Sequence, residues 1–351
     1  MSALRERVQC RWEATVGSHL ITRVRAAPRW ARFVLLAAAI VFLYWLPYLT
    51  VPILNTPGTD FATVLFFPVG IYVLCSVGLD LAVGRAGIVN FGFVGFFAIG
   101  AYAMAYLSTT AGLSYYEVLP IAALLGGIAA LVLGLVTLRV RGDYLAIVTL
   151  AFGLIVTTVI NNSSALGGIQ GISSVPHPGS LLGLTFGDFA AAPYDALLLT
   201  IILLTIFATQ RLFNSRVGRA WAAIREDEDV AELMGVPTFR FKVSALAIGG
   251  AIGGLAGATY AAQAIFISPE TFGVTLSVIF VSAVVLGGSG NLVGVIVGAA
   301  VIAYLPERFR GFEDLRVLIF SAVLTLMMVV RPQGLIPRRR GGGARAHALG
   351  R

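Results

Sequence analysis

The densest run of ionisable side chains in this chain is Arg225-Glu226-Asp227-Glu228-Asp229, within the stretch from Asn214 to Gly235. An acidic cluster repels anionic lipid, so a protein partner accounts for it better than a membrane surface does. Elsewhere the chain is poor in groups that could do covalent chemistry. His19, His177 and His347 lie too far apart in the sequence to argue for a metal site. No nucleophile, acid–base pair or metal set stands out, which argues against an enzyme. Lys242 is the one lysine and sits between Phe241 and Val243. A phosphate-binding loop of the form Gly-x-x-x-x-Gly-Lys-Ser/Thr is therefore missing, and any ATP hydrolysis must fall to another chain. Cys10 and Cys75 lie in a basic leader and in an apolar run, positions that build no extracellular disulfide framework, so both are expected to be reduced.

The elements that must position these residues are set by composition. Hydrophobic residues make up 58% of the 351 and charged residues 12%, about half the charge of an ordinary soluble domain. Apolar runs long enough for about 20 helical residues each fall at 31–50, 61–83, 87–107, 117–138, 143–161, 194–213, 242–267, 274–288, 290–305 and 315–331. They lack the two-residue alternation of barrel strands, so the fold class is all-α, a polytopic transmembrane helical bundle of about ten segments. The stretch from Gly273 to Leu305 exceeds one upright span, and Leu286-Gly287-Gly288-Ser289-Gly290-Asn291 breaks it into two short ones.

The net charge of +8 sits in short stretches between apolar runs, a topology signal and no sign of nucleic-acid binding. Ten spans with both termini cytoplasmic place 22 of the 25 basic residues inside. Arg308, Arg310 and Arg316 remain outside, beside Glu307, Glu313 and Asp314. This gives a basic cytoplasmic leader at 1–30, a transmembrane domain at 31–335 and a basic cytoplasmic tail at 336–351. The outer connection at 162–193 is rich in Gly, Ser and Pro, and the inner one at 214–241 carries the charge run.

Within the inner connection, Ala220, Ala223, Ile224 and Asp227 recur at helical spacing, as do Val230, Leu233 and Met234. Two short helices are expected, closed by Gly235 as a C-cap, with Pro237 forbidding continuation. Inside the spans, Asp80 with Arg85 and Asp143 with Arg139 and Arg141 read equally as interfacial ion pairs or as functional groups. Asn90, Thr149, Asn161 and Asn162 are neutral polar groups that either line a pathway or bond helix to helix. Gly249, Gly253 and Gly257, Gly250 and Gly254, and Gly294 and Gly298 recur every four residues, a pattern for close helix packing.

Several blocks together resemble a known family. Asp229 to Gly235 is similar to the E-A-A-x-x-x-G coupling loop of prokaryotic ABC importer permeases, with Asp229 for Glu and Val230 for the first Ala. Gly218-Arg219-Ala220-Trp221, Ala223-Ile224-Arg225-Glu226-Asp227-Glu228, Arg141-Gly142-Asp143-Tyr144-Leu145, Gly167-Gly168-Ile169-Gln170-Gly171-Ile172, Phe96-Phe97-Ala98-Ile99-Gly100-Ala101-Tyr102 and Ser268-Pro269-Glu270 followed by Val285-Leu286-Gly287-Gly288 resemble the LivM-type permeases of branched-chain amino acid importers. The blocks keep the family's order from about residue 70 to 335. Where the family has a Ser-Leu-Gly-His-like run, this chain reads Val89-Asn90-Phe91-Gly92-Phe93.

The resemblance implies a multi-pass subunit of a prokaryotic cytoplasmic (inner) membrane, with no cofactor of its own. Its partners would be a second, LivH-like permease, two cytoplasmic ATPases that use the ATP, and a periplasmic or lipid-anchored binding protein. It implies ATPase coupling through Gly218, Arg219, Ala223, Arg225, Glu226, Asp227, Glu228, Asp229, Ala231 and Gly235. It implies a substrate pathway near Asn90, Phe91, Gly92, Thr149, Asn161 and Asn162. The cargo would be a branched-chain or related small amino acid, with urea or an amide as the alternative. An ion-coupled carrier is a more distant reading, because the centres of the runs hold no carboxylate for proton or sodium coupling.

The topology can be tested directly. Single cysteines at Ser163, Ser164 or Ser180, in a background lacking Cys10 and Cys75, are expected to react with a membrane-impermeant thiol reagent in intact cells. Cysteines between Arg216 and Gly235 are expected to stay unlabelled, and labelling of both sets would overturn the assignment.

Overall fold

The structure, a computed structural model, describes residues 37–38, 40–48, 61–137, 143–179, 186, 191–308, 321–322, 325 and 334–336. The expected spans at 31–50 and 315–331 fall largely outside these residues, as do Arg139 and Arg141. The chain divides into two units, Met1–Leu49 and Thr50–Arg351. The described part of the first is helical and ends in a 3-10 turn at Leu46–Tyr48.

The second unit holds ten helices among its described residues: α1 (Phe61–Arg85), α2 (Phe93–Thr110), α3 (Tyr115–Thr137), α4 (Asp143–Asn162), α5 (Ala191–Phe213), α6 (Arg216–Glu226), α7 (Glu228–Leu233), α8 (Thr238–Ala264), α9 (Val274–Gly287) and α10 (Leu292–Arg308). Six of them, α1 to α5 and α8, are long and apolar enough to cross a membrane. α9 has 14 residues, a rise of about 21 Å against a hydrocarbon core of about 30 Å. It therefore forms a short hairpin with α10 through Gly288–Asn291, as the glycine-rich break predicts. These elements answer to eight of the ten apolar runs.

α8 occupies the centre, packed against α3, α2 and α1. Its glycines are the reason three neighbours can reach one helix. A Cβ on Gly249 would lie 2.7 Å from the Gly78 carbonyl of α1, and one on Gly250 would lie 2.7 Å from the Gly126 carbonyl of α3. A Cβ on Gly257 would overlap the Phe97 carbonyl of α2, and one on Gly254 the Ala122 carbonyl of α3. The four-residue glycine spacing thus serves four backbone-to-backbone contacts with three helices, the close approach that small residues permit between membrane helices. Bulk is supplied from the neighbours, where Phe93, Phe96, Phe97, Phe272 and Phe280 are fully buried or nearly so and meet in edge and tilted ring contacts.

The chain does not climb directly from α1 into α2. A helix is expected from residue 87, yet the helix begins at Phe93 and residues 87–92 are non-helical. At the far ends of α2, α4 and α8 the chain is tied by an antiparallel bridge between Ile172 and Ile267, with N–H···O distances of 3.0 Å both ways. The described connections at that end, 111–114, 163–179 and 265–273, contain no Lys or Arg. The opposite end carries Arg85, Arg211, Arg216, Arg219, Arg225, Arg240 and Lys242.

One substitution type should change sign with position. Gly153→Ala adds a Cβ at ordinary contact, 3.5 Å from Val94, and gains up to about 1 kcal/mol of helix propensity. Gly257→Ala must push α2 from α8 and costs on the order of 1–3 kcal/mol by overpacking. Thermal unfolding of the detergent-solubilised protein is expected to show Gly153→Ala at or above the parent midpoint and Gly257→Ala several degrees below it.

Candidate functional site

Two sites follow from the sequence, and the structure places them at different depths. At the basic end, Ser215 caps α6 by accepting the Val217 N–H at 3.2 Å, and Asp227 caps α7 by accepting the Val230 N–H at 3.0 Å. Asp227 is thus a junction that ends one helix and starts the next. α7 closes on Gly235, whose φ of +83 is the left-handed conformation. There the Val236 N–H bonds the Ala231 carbonyl at 3.0 Å and the Gly235 N–H bonds Glu232 at 2.9 Å, the paired bonds of a Schellman end.

α6 turns one face inward. Trp221 is fully buried and Ile224 nearly so, and the Trp221 indole donates to the Phe241 carbonyl of α8 at 2.7 Å. Glu228 pairs with Lys242 of α8. Arg225 also points into the bundle, donating to the Gly84 carbonyl and to Ser289 Oγ at 3.0 Å. Arg219, Ala223, Glu226, Asp227, Asp229 and Gly235 are exposed, Gly218 is half-buried and Ala231 is buried. Three apolar residues of α7 and its end break the usual rule and face solvent: Val230 at 53%, Leu233 at 86% and Met234 at 79% exposure. Apolar groups clustered in that way mark a surface that another molecule covers.

The second site lies inside the bundle. Asn90 is buried and accepts the Gly92 N–H at 2.9 Å. The Phe91 N–H donates to Thr149 Oγ1 at 3.1 Å, and the Phe91 carbonyl accepts from Ser277 Oγ of α9. Ser277 in turn accepts from the Val94 N–H at 3.4 Å. A Cβ on Gly92 would overlap the Thr149 carbonyl, so this strip of backbone is pressed against α4. Thr149 stands six residues into α4 and Ser277 ten residues before the end of α9, about 9 and 15 Å from the basic end of each helix. The 87–92 segment is therefore irregular backbone held between the two ends, which membranes tolerate only inside protein or against water.

Asn90, Phe91, Gly92 and Thr149 thus come together. Asn161 and Asn162 do not: both are exposed at the far end of α4, and Asn162 bonds back to the Thr158 carbonyl at 2.8 Å. Ser277 belongs to the internal site and was not singled out from the sequence. Its signal was that of a serine early in a short helix of Val, Leu, Ile and Phe. Gly84 and Ser289 were likewise silent, because their roles are made by a residue more than 60 positions away. The Asp80 and Arg85 side chains do pair, at 3.9 Å, and Arg85 stacks 3.9 Å from the Phe213 ring centre. Among the described residues no group of His, Cys, Asp and Glu could hold a metal ion.

Comparison with known proteins places the chain in a family. The family described as branched-chain amino acid transport system / permease component matches residues 62–331. The LivM permease protein of a high-affinity branched-chain amino acid transport system from Escherichia coli K12 is 38% identical over 312 residues, covering 82% of this chain and 72% of the relative. A probable LivM permease protein of Methanocaldococcus jannaschii is 26% identical over 329 residues, 80% of this chain and 94% of the relative. The Escherichia coli LivH permease protein is 30% identical over 148 residues, 40% of this chain and 44% of the relative. No solved structure matches significantly. The match takes in every span from α1 to α10, both breaks in the helices and the whole α6–α7 segment, and the chain belongs to the family of branched-chain amino acid transport system permease components.

Proposed function

We propose that this chain is the membrane-spanning permease subunit of an ABC importer that carries branched-chain amino acids across a prokaryotic cytoplasmic membrane. The family match over residues 62–331 carries the reading. The names of the similar LivM proteins supply the cargo, and similarity to LivH proteins supports pairing with a second, related permease. With basic residues inside, α6 and α7 face the cytoplasm and the Ile172–Ile267 end faces out, where a binding protein delivers substrate.

Two ATPase subunits on other chains bind and hydrolyse ATP and dock on the α6–α7 segment. Leu233 and Met234 fill an apolar groove on the ATPase, and Glu226, Asp227, Asp229 and Glu232 orient the contact. Gly218, Arg219 and Ala223 lie along α6 beside it. Arg225, Glu228, Ala231 and Gly235 hold the segment's shape and its seat on the bundle. Asn90, Phe91, Gly92 and Thr149 border the passage at mid-depth, and Asn161 and Asn162 stand at its outer end. A neutral or zwitterionic solute suits this lining, since no Lys or Arg lies between Arg141 and Arg211, as a phosphate or sulfate pathway would require.

Two measurements test the reading. Uptake of radiolabelled leucine, isoleucine and valine is expected to fall in a deletion strain and return on complementation. Unchanged uptake of all three with collapse of urea or amide uptake would move the cargo and leave the architecture. Separately, Leu233→Glu combined with Met234→Glu removes two apolar side chains worth about 1.5–3 kcal/mol each when buried, so affinity for the ATPase is expected to fall at least about 100-fold. Undiminished co-purification of the ATPase with the doubly substituted complex would overturn α7 as the docking surface.

A further inference from the structure

A docked segment moves a bundle only through the groups that grip it. Among the described residues, Trp221 and Glu228 end on the first turns of α8, the helix that follows the segment in the chain. Arg225 crosses instead to two elements remote in sequence. One arm of its guanidinium donates to the Gly84 carbonyl, in the last turn of α1. The other donates to Ser289 Oγ at 3.0 Å and reaches the Ser289 carbonyl at 3.4 Å, just past the end of α9. The last carbonyls of a helix have no partner within it and carry the negative end of its dipole, so a cation is well placed there.

The slot is built for this side chain. A Cβ on Gly290 would overlap Arg225 Nη1, and one on Gly87 would lie 3.4 Å from Arg225 Cγ. Gly290 and Gly87 also take positive φ, +86 and +73, so the backbone turn calls for glycine at both, and at Gly290 the Gly84 carbonyl, 2.6 Å from such a Cβ, leaves no space for one either. The floor of the slot is fixed from α1, where the buried Asp80 carboxylate accepts the Gly290 N–H at 2.7 Å. The Leu335 and Ile336 N–H groups bond the Leu286 and Gly287 carbonyls at 2.7 and 3.2 Å, closing the other side of the turn.

Both elements that Arg225 holds lead to the internal site. α1 runs on into the non-helical 87–92 segment, and α9 carries Ser277, whose hydroxyl donates to the Phe91 carbonyl. We propose that Arg225 is the strut that converts movement of the α6–α7 segment into displacement of the α1 terminus and the α9–α10 hairpin, and through them of Asn90–Gly92. This rests on α6–α7 being the ATPase contact. Arg225 is then a positioning residue whose work is done on the permease side, facing away from the docking surface. Arginine is required because its planar fork meets two acceptors at once, where a lysine ammonium is a single point charge.

The test uses the complete importer, with second permease, ATPases and binding protein, reconstituted in liposomes with leucine as probe. Arg225→Lys is expected to retain the ATPase subunits at the parent ratio and to lower leucine transported per ATP hydrolysed at least tenfold. Ser289→Ala, which leaves the guanidinium and its Gly84 contact, is expected to lower the same ratio two- to fivefold. The Arg225→Lys, Ser289→Ala double variant is expected to be no worse than Arg225→Lys. An unchanged transport-to-hydrolysis ratio in Arg225→Lys overturns the strut, and so does release of the ATPase, which would make Arg225 a docking residue. Should the Arg225→Lys permease itself fail to fold into the membrane, Ser289→Ala decides alone, and a parent ratio there overturns the strut. Failure of the docking reading is seen elsewhere, in ATPase retained by the Leu233 and Met234 variant.

Discussion

The bundle depends on a helix that offers its neighbours backbone in place of side chains. In lipid there is no hydrophobic gain from pressing one apolar helix on another, so packing and close approach must hold them. α8 meets this with Gly249, Gly250, Gly254 and Gly257, which bring the backbones of α1, α2 and α3 against it. Such contacts have no rotamers to exchange. Four helices are thereby fixed at short distance where those glycines lie, α1 at Gly78, and movement must belong to parts joined less closely to that centre, such as the end of α1 beyond that contact. α9 is such an element, packed on α10, α1, α2 and α4.

A second constraint follows from the first. Helices packed this tightly leave little water, so every interruption of the helical backbone inside the bundle must find its hydrogen bonds in protein. Besides the kink at Phe67 in α1, where φ and ψ leave the helical region, two longer interruptions lie among the described residues, and each is met by a small set of polar groups. The 87–92 segment is satisfied by Asn90, Thr149 and Ser277. In the 288–291 turn the Gly290 N–H is met by Asp80 and the Ser289 carbonyl by Arg225. α9 joins the two, since Ser277 lies near its start and the turn at its end.

What could be read in advance was what depends on local pattern. Apolar run length located α1 to α5 and α8, glycine spacing marked α8 as a packing helix, and Gly288-Ser289-Gly290-Asn291 announced a break. The two short helices of the inner segment and the Gly235 end were legible because capping residues act on neighbours. The start of α2 was not, since Ile88, Val89, Phe91 and Phe93 keep the run apolar straight through the interruption. Hydropathy senses burial, and Ile88, Asn90 and Gly92 are buried here without being helical. Asn90 and Thr149 were legible as costly polar groups in apolar runs, but the same test cannot separate them from Asn161 and Asn162, which sit at a helix end. Arg225 was read as part of a charged surface, because only the fold reveals that Gly87 and Gly290 border a slot for it and that the Gly84 carbonyl accepts from it.

The two faces of the inner segment divide one task between them. α7 is six residues long, too short to be stable by itself in water, and it is held by Asp227 at one end and Gly235 at the other. It can therefore present Leu233 and Met234 in a defined direction without burying them. α6, with Trp221 and Ile224 inward, gives that presentation a rigid base, and Arg225 is placed at its last turn, two residues before the Asp227 junction. A displacement applied at Leu233 is thus delivered at the guanidinium with little chain between them to absorb it. Exposed apolar surface on one helix and an inward-facing arginine on the next are, on this account, the two ends of a single short lever, with the Asp227 cap as the rigid joint between them.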